Sequence, residues 1–338
     1  MTDLATRRCF RSQIVVGLCV VLWSLSGPAA VKEQESSVEP NRAGYIPAAG
    51  PFDETVTEDI LLTDPQRNID LSVKVRYPVT DQALPVIIFS HGYRYDKNVF
   101  GPLSEHWARH GYVVIHPTHI DARSVTNQTG VQAQMDRPAT WRSRTADISL
   151  LIDSLGVIES KLTKFRGEFS ADELGVGGHS FGAYTSMLTG GATVMLPDQE
   201  EPASFLDVRI RAILPIAGQG RGQQGLHDHS WDKINIPMMM LTGSEDPGLH
   251  AEEPRWRAEG FRLSPPGDKY WGYITGANHF SYDGRSGKEA QNRMSQVVKT
   301  ASLAFWDAYL RDSEPAKRYL ATDQLQRDHP DAVEFFRK

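Results

Sequence analysis

Residues 174–182 read Leu174-Gly175-Val176-Gly177-Gly178-His179-Ser180-Phe181-Gly182, and this stretch decides the fold class. A short apolar run ends at Gly178, and a run that suits a helix follows Gly182. A serine in a tight strand-to-helix turn projects its hydroxyl away from the backbone, and flanking glycines let the strand and the helix approach closely. The helix start also directs backbone N–H groups towards a developing anion. The stretch therefore predicts an α/β fold in which Ser180 is a nucleophile.

Five further apolar runs have the length and composition of buried parallel strands: Val86–Phe89, Tyr112–Ile115, Ala212–Ile216, Met238–Leu241 and Tyr270–Thr275. The segments between them are long enough for crossover helices. Together with the run before Ser180, they predict a mostly parallel central sheet with helices on both faces.

Periodic patterns add a hairpin and two helices to this sheet. Alternation with period two in Thr55–Leu62 and Ile69–Tyr77 predicts an N-terminal antiparallel hairpin. Apolar residues at helical spacing predict helices over Arg142–Leu155 and Gln296–Leu310. In the first of these helices Arg144 and Asp147 lie three residues apart, a spacing at which they could pair with each other.

The organisation of the body is simple. Neither a repeat nor a composition shift interrupts the strand pattern, so residues 51–338 are predicted to form a single domain. The irregular stretches 119–141, 189–207 and 247–268 each follow a predicted strand or a helix leaving one. We expect them to form the walls of a site at the edge of the sheet where the parallel strands end.

A serine hydroxyl needs a base, and in this kind of fold the partners follow in the order Ser, Asp, His. Asp246 follows one predicted strand and His279 follows the next. We expect His279 to carry the proton and Asp246 to fix the orientation of its ring. Alternative acids, which the sequence leaves open, are Glu245, Asp228 and Asp232.

The tetrahedral intermediate of acyl transfer needs two N–H donors. One is expected from Phe181, the residue after the nucleophile. The other is expected from the loop Ser90-His91-Gly92-Tyr93-Arg94, with the backbone N–H of Tyr93 as the candidate. His91 and His179 are predicted to have structural roles.

Trp141 and Trp231 fall in irregular segments near the predicted site and are candidates for a substrate pocket, with core packing as the alternative. The pattern His227-Asp228-His229 is interpreted as a solvated loop, because no further cluster accompanies it. The hydrolytic residues need no metal, so the sequence predicts neither a metal nor a cofactor.

Composition excludes several classes of function. The chain has 338 residues, 40% of them hydrophobic, and a formal net charge of −6, so no basic field points to a nucleic-acid partner. Its only cysteines, Cys9 and Cys19, lie in the first twenty residues. A disulfide scaffold, a Cys-ligated zinc site and a cysteine nucleophile in the body of the protein are therefore excluded.

The N-terminus has the pattern of a cleaved signal peptide over residues 1–30. Basic residues including Arg7 and Arg8 precede the apolar run Ile14–Leu25, and small residues follow it. The stretch Thr6–Phe10 resembles a twin-arginine signal, with an ordinary signal or a retained anchor as alternatives. Residues 31–50 are interpreted as a linker. We expect a periplasmic or extracellular protein without stable membrane insertion after cleavage.

With these residues in view, the chain resembles the serine α/β-hydrolases. Within them it is similar to bacterial relatives of platelet-activating-factor acetylhydrolase, often labelled dienelactone-hydrolase-like. The resemblance covers roughly residues 51–312. It is carried by Thr63-Asp64-Pro65, Phe89–Gly92, His110–Val114, Arg144 with Asp147, Gly178–Gly182 and Gly276–His279. The resemblance implies an α/β-hydrolase fold and ester hydrolysis.

Two departures from that family pattern bear on the site and substrate. Ala183 stands where the subfamily usually has a third glycine. The eukaryotic acetylhydrolases carry their acid one strand earlier, but residues 216–220 here contain no carboxylate, which leaves the acid at Asp246. The phospholipid substrate therefore stays open, and secreted polyester hydrolases share the late acid.

The sequence as a whole predicts an exported, cofactor-independent serine carboxylic-ester hydrolase of esterase, lipase or acetylhydrolase type. Its expected partners are small-molecule, lipid or polymeric esters. The alternatives are a polyester hydrolase of cutinase type, an amidase or peptidase on the same residues, or a catalytically silent binding protein of this fold. The oligomeric state stays open.

Overall fold

A computed structural model describes residues 50–131, 133–283 and 289–338. The predicted signal peptide, residues 1–30, lies outside the described residues, as does nearly all of the predicted linker. Both therefore stay predictions. In the described parts of the chain, no helix is long and apolar enough to span a bilayer.

The strands are β1 (Thr55–Asp64), β2 (Ile69–Pro78), β3 (Ala83–Ser90), β4 (Val113–Pro117), β5 (Glu168–His179), β6 (Thr193–Val194), β7 (Ala203–Ser204), β8 (Ala212–Ile216), β9 (Met238–Gly243), β10 (Lys269–Ile274) and β11 (Val333–Arg337). The helices are α1 (Gly101–Arg109), α2 (Arg123–Thr129), α3 (Pro138–Asp153), α4 (Leu155–Lys161), α5 (Phe181–Thr189), α6 (Glu259–Leu263), α7 (Glu289–Tyr309), α8 (Glu314–Leu320) and α9 (Gln324–Asp328). A 3₁₀ turn, Pro254–Ala258, precedes α6.

Within the described residues, nine strands form one mixed sheet in the order β1-β2-β4-β3-β5-β8-β9-β10-β11. The six strands from β4 to β10 in this order pair in parallel. They correspond to the six apolar runs of the sequence, and strands buried on both faces require such runs. The predicted parallel core is therefore confirmed.

The N-terminal hairpin is also confirmed. Strands β1 and β2 pair antiparallel along their whole length, from Thr55 opposite Pro78 to Asp64 opposite Ile69. The Asp64 carboxylate accepts the N–H groups of Gln66 and Arg67, which closes the turn. Side-chain capping of this kind is why aspartate favours turns.

The two faces of the sheet carry separate apolar cores. Along β3, Val86 and Ile88 belong to one core, which includes the apolar residues of α3, α4 and α5. Ile87 and Phe89 belong to the other, which includes those of α1 and α7. Successive side chains of a strand point to opposite faces, so helices cover both sides, as predicted.

Several elements of the structure were not predicted from the sequence. Strand β11 pairs antiparallel with β10 and is the edge strand on that side of the sheet. The small ribbon of β6 and β7 lies in the stretch 189–207, and α2 and α6 lie in stretches expected to be irregular. Helix α3 begins at Pro138, earlier than predicted, because a proline fits the first turn of a helix.

Candidate active site

Ser180 lies at the sharp turn between β5 and α5, where its φ is +56°. A Cβ at Gly178 would lie 2.3 Å from the Gly182 oxygen, and a Cβ at Gly182 would lie 1.9 Å from the Ser90 oxygen. Only glycine allows contacts this close. The two glycines therefore let α5 begin against both its own strand and the loop after β3, which leaves the Ser180 side chain at the strand end.

Three side chains from three loops meet at this turn. Oγ of Ser180 lies 2.9 Å from Nε2 of His279, and Nδ1 of His279 lies 2.9 Å from Oδ1 of Asp246. Asp246 is fully buried, whereas His279 is partly exposed. We call this hydrogen-bonded series the Ser180 relay. Because β5, β8, β9 and β10 are neighbours in the sheet, the loops after them converge at one edge.

The structure also distinguishes Asp246 from the alternative acids. The second oxygen of Asp246 accepts a hydrogen bond of 3.1 Å from the Tyr282 hydroxyl. Asp228 pairs with Arg221, and Asp232 pairs with His229. Of the carboxylates that the sequence left open, Asp246 is the one that the structure brings to His279.

The loop Ser90–Arg94 follows β3 and lies beside the Ser180 turn; we call it the β3 loop. Tyr93 and Ser180 line the same cavity. Phe181 is the first residue of α5, a position whose N–H has no acceptor within the helix. Neither N–H donates to a protein acceptor in the described part of the chain. Their binding of an anion at Ser180 stays a prediction.

The cavity at Ser180 has a volume of about 210 Å³. Residues from several loops line it, among them Tyr95, Met135, Gln219, Leu249 and Phe280. The stretches 119–141 and 247–268 contribute to its wall, as expected. The stretch 189–207 does not appear among its lining residues.

The comparison with family models decides the classification. Residues 52–224 match the model described as Chlorophyllase. The chain belongs to the chlorophyllase family. That family is part of the α/β-hydrolase superfamily and indicates a hydrolase that acts on esters. The match includes the Ser180 turn and the β3 loop and ends before Asp246 and His279.

The narrower resemblance to acetylhydrolases and dienelactone-hydrolase-like proteins is not confirmed by this match. No curated protein matches the sequence. The classification of this chlorophyllase-family chain therefore rests on the family model and on the fold.

Trp141 and Trp231 require a correction. The structure places both in the core rather than in the cavity wall of this chlorophyllase-family chain. The Trp141 ring packs edge-on against Tyr184, and its N–H donates to the Met135 carbonyl. The Trp231 N–H points to the Met187 sulfur. Large apolar rings gain most from full burial, so their irregular sequence context was misleading.

Two residues support the Ser180 relay; sequence reasoning missed Arg257 and predicted a structural role for His179. Arg257 is almost fully buried, and its Nε lies 3.0 Å from Asp246 Oδ1. His179, next to the nucleophile, contacts the backbone: its Nε2 lies 2.8 Å from the His279 carbonyl oxygen. Burial lowers the pKa of His179 well below its ordinary value, so the neutral ring donates here. No sequence signal separates Arg257 from its neighbour Arg255.

Arg144 and Asp147 do not pair with each other. Arg144 binds both carboxylate oxygens of Asp121 through Nε and Nη2, whereas Asp147 binds Arg67 and His119. Both side chains reach the loop after β4, where Arg144 meets Asp121 and Asp147 meets His119, and Asp147 also binds Arg67 of the β1–β2 turn. The expectation of a local pair is therefore wrong.

Ser90, His119 and Asp147 form a second relay of the same chemical type. His119 Nε2 lies 2.9 Å from Ser90 Oγ, and its Nδ1 lies 2.7 Å from Asp147 Oδ2. Ser90 and His119 are fully buried. A buried serine meets no substrate, so this relay supports the β3 loop.

The described residues contain no cluster of three or more His, Cys, Asp or Glu side chains that could hold a metal ion. In the segment His227–His229, the acid pairs with Arg221 and His229 pairs with Asp232.

Proposed function

We propose that this protein is an exported serine carboxylic-ester hydrolase that works through an acyl-enzyme on Ser180. One observation carries the proposal: the Ser180 relay has two hydrogen-bonding distances of 2.9 Å and opens into a cavity. A nucleophile, a base within reach of its proton and a group that orients the base are the requirements for covalent acyl transfer.

Acylation begins when His279 Nε2 takes the proton of Ser180 Oγ, which attacks the ester carbonyl carbon. The N–H groups of Tyr93 and Phe181 stabilise the negative oxygen of the tetrahedral intermediate. The C–O bond to the alcohol then breaks, and His279 returns the proton to the departing alkoxide. Asp246 stabilises the protonated ring throughout and holds its tautomer.

Deacylation repeats these steps with water. His279 takes a proton from the water as its oxygen attacks the acyl carbon. The second tetrahedral intermediate uses the same two N–H donors, and the bond to Ser180 Oγ breaks. His279 gives the proton back to Ser180, the acid leaves, and the enzyme returns to its starting state.

The mouth of the cavity favours apolar esters. Tyr95, Leu249 and Phe280 line the cavity, yet 46%, 62% and 66% of their respective surfaces are exposed. Exposed apolar side chains grouped around a small cavity are typical of a surface that binds an apolar ligand. We therefore propose lipid-like or polymeric esters, of the lipase, acetylhydrolase or cutinase type, in preference to small polar esters.

Chlorophyll is a second candidate substrate, because the matching family model carries the name Chlorophyllase. The exposed apolar mouth is compatible with a substrate too large for a cavity of about 210 Å³. Chlorophyll therefore belongs in the same substrate panel as a phospholipid and a polyester film.

Export is proposed from the N-terminal sequence alone. Basic residues, an apolar run and small residues follow one another over residues 1–30 in the order of a cleaved signal. Detection of the mature protein in the periplasm or the medium, with its N-terminus near residue 31, tests this part. Full-length protein retained in the membrane contradicts it.

The decisive experiment compares the wild type with Ser180→Ala. We expect the wild type to hydrolyse p-nitrophenyl esters and a fluorophosphonate probe to label Ser180. Ser180→Ala should lose the labelling and at least about 10³-fold in kcat, with an unchanged circular dichroism spectrum. Retained activity in this variant contradicts the proposal.

Two alternative functions can be tested on the same wild-type protein. An amidase or peptidase should cleave the anilide of a matched acyl group about as fast as the ester, and we expect the ester to be strongly preferred. A catalytically silent binding protein should leave the folded wild type unlabelled by the probe.

A further inference from the structure

Arg144 lies on α3 with no exposed surface, directly behind the β3 loop. Its Nε and Nη2 each lie 2.8 Å from one oxygen of Asp121, which makes a bidentate ion pair. Burying two charges is costly, and a buried ion pair is by itself weak support for stability. The other N–H groups of the Arg144 guanidinium therefore indicate a further role of the ion pair.

Those donors reach the backbone of the β3 loop. Nη1 donates to the His91 carbonyl at 2.8 Å, and Nη2 lies within hydrogen-bonding distance of the Gly92 carbonyl at 3.4 Å. The Tyr95 N–H donates to the same Gly92 oxygen at 3.2 Å.

The His91 ring supplies a third donor to the Gly92 carbonyl. The backbone N–H of His119 donates to His91 Nε2 at 2.9 Å, so that nitrogen carries a lone pair. The proton of the neutral ring is therefore on Nδ1, which lies 2.7 Å from the Gly92 oxygen. Burial lowers the pKa of His91 well below its ordinary value, in keeping with the neutral ring.

The hydrogen bonds to the Gly92 carbonyl also fix the orientation of the Tyr93 N–H, because both groups belong to one peptide unit. A trans peptide is planar, so the Gly92 C=O and the Tyr93 N–H point in opposite directions. Three donors orient the carbonyl end towards the interior. Gly92, Tyr93 and Ser180 line the same cavity, so the N–H end is turned towards the side of the cavity.

The next peptide unit is held from the other member of the ion pair. The Arg94 N–H donates to Asp121 Oδ2 at 3.1 Å, and Arg94 has a φ of +64°. Tyr93 is thus bracketed, with Arg144 on the carbonyl before it and Asp121 on the N–H after it.

Arg144 also contacts the second predicted donor residue. Its guanidinium carbon lies 4.3 Å from the centre of the Phe181 ring, within the range of a cation–π interaction. The Tyr93 ring packs edge-on against the same ring, with 6.1 Å between centroids. One buried side chain therefore contacts the Phe181 ring and the carbonyl of the peptide unit that carries the Tyr93 N–H.

We propose that the Arg144–Asp121 ion pair is a positioning device that holds the N–H groups of Tyr93 and Phe181 in the geometry of the transition state. The proposal rests on the proposed function, since it requires an anion formed at Ser180. Arg144 acts through the backbone and does not touch the substrate, so its loss affects the rate of reaction more than the binding of substrate.

The test uses Arg144→Lys, measured per active site titrated with the fluorophosphonate probe. A lysine keeps the charge but lacks the planar fork that reaches Asp121 and two carbonyls together. Losing an oxyanion donor costs about 10²–10³ in kcat, and a misplaced donor loses part of that. We expect kcat per titrated site to fall about 10- to 100-fold, with KM within about threefold of the wild type.

A boronic acid supplies a readout that a merely structural role would not move. Phenylboronic acid forms a tetrahedral anionic adduct on an active serine, so its inhibition constant should rise by the same factor by which kcat falls. Arg209→Lys is the matched control, because Arg209 forms an ion pair with Asp207 away from the cavity. We expect this control to keep both values.

A second variant keeps the proposal testable if Arg144→Lys does not fold. Arg144→Met combined with Asp121→Asn removes both charges and leaves the asparagine oxygen to accept the Arg94 N–H. It should show the same loss of kcat and of boronate affinity. Unchanged values per titrated site in either folded variant overturn the proposal. A wild type that neither hydrolyses esters nor reacts with the probe instead refutes the proposed function itself.

Discussion

Nε of Arg257 lies 3.0 Å from Oδ1 of Asp246, the carboxylate oxygen that also bonds His279. The same guanidinium donates to the carbonyls of Asp246, Ala217 and Pro247. One side chain thus ties the acid of the Ser180 relay to the loop after β8. The buried Asp246 carboxylate has a cation and a hydroxyl as partners, so it is held in one orientation. His279 requires this fixed orientation to act as the base.

Removing that cation should destabilise the protein. For Arg257→Met we expect the free energy of unfolding to fall by about 3–5 kcal/mol, because a buried carboxylate and several carbonyls lose their donor. Urea unfolding measures this. Arg255→Met is the control: its surface pair with Glu334 should contribute no more than about 1 kcal/mol. Equal losses in the two variants would contradict the role of Arg257.

Asp246→Asn should impair the chemical step while leaving the fold intact. An amide at this position cannot hold the His279 tautomer or stabilise the protonated ring, and such a change costs about 10⁴-fold in kcat. Steady-state kinetics on a p-nitrophenyl ester measures it. The adjacent exposed acid offers the control, since Glu245→Gln should stay within about twofold of the wild type. An Asp246→Asn variant with more than a tenth of normal kcat would rule out this acid.

Gly182→Ala should damage both folding and catalysis. Its Cβ would lie 1.9 Å from the Ser90 oxygen, so the β3 loop must move. We expect a loss of about 3 kcal/mol or more in unfolding free energy. Gly156→Ala is the matched substitution in open space on α4 and should raise stability by about 0.5–1 kcal/mol. A Gly182→Ala protein of normal stability would show that the close approach is absent.

Leu249 should matter for long acyl chains and not for short ones. Leu249→Ser removes an apolar contact worth about 1 kcal/mol, part of what full burial of a leucine contributes. We therefore expect kcat/KM for p-nitrophenyl dodecanoate to fall about fivefold, with the acetate ester unchanged. Val208→Ser, at another exposed apolar residue away from the cavity, should alter neither. Equal effects on both esters would refute an apolar rim.

Stability should fall as the pH drops below about 6.5. Burial lowers the pKa of six described histidines, His91, His106, His116, His119, His179 and His329. Above pH 6.5 these rings are neutral in both states, and below it only the unfolded chain takes up their protons, so the folded state loses stability.

One acid opposes this trend. Burial raises the pKa of Asp147 to about 7, so the stability that its protonation contributes is present at low pH and is lost as the pH rises through 7. The net loss between about pH 7.5 and about pH 5.5 is of the order of 5 kcal/mol. Urea unfolding at both pH values measures it, and His116→Gln should reduce the difference by about 1.4 kcal/mol. Stability that rises on acidification would contradict the buried neutral rings.

Most of the parallel core could be predicted from the sequence, because a strand buried on both faces must be an unbroken apolar run. The turn at Ser180 was also predictable, since contacts as close as those of Gly182 admit only glycine. The order of Ser180, Asp246 and His279 followed from their positions after successive strands. Strand β11 was not predicted, because an edge strand tolerates the polar residues of Val333–Arg337.

The sequence by itself determined the local elements and which side chains stand at the strand ends, since burial and backbone approach restrict the residue type at each position. Only the tertiary structure decided which buried charges meet. Arg144 pairs with Asp121 rather than with Asp147, Arg257 rather than Arg255 reaches Asp246, and Trp141 packs into the core. These choices depend on distances between segments far apart in the chain, and no local pattern encodes them.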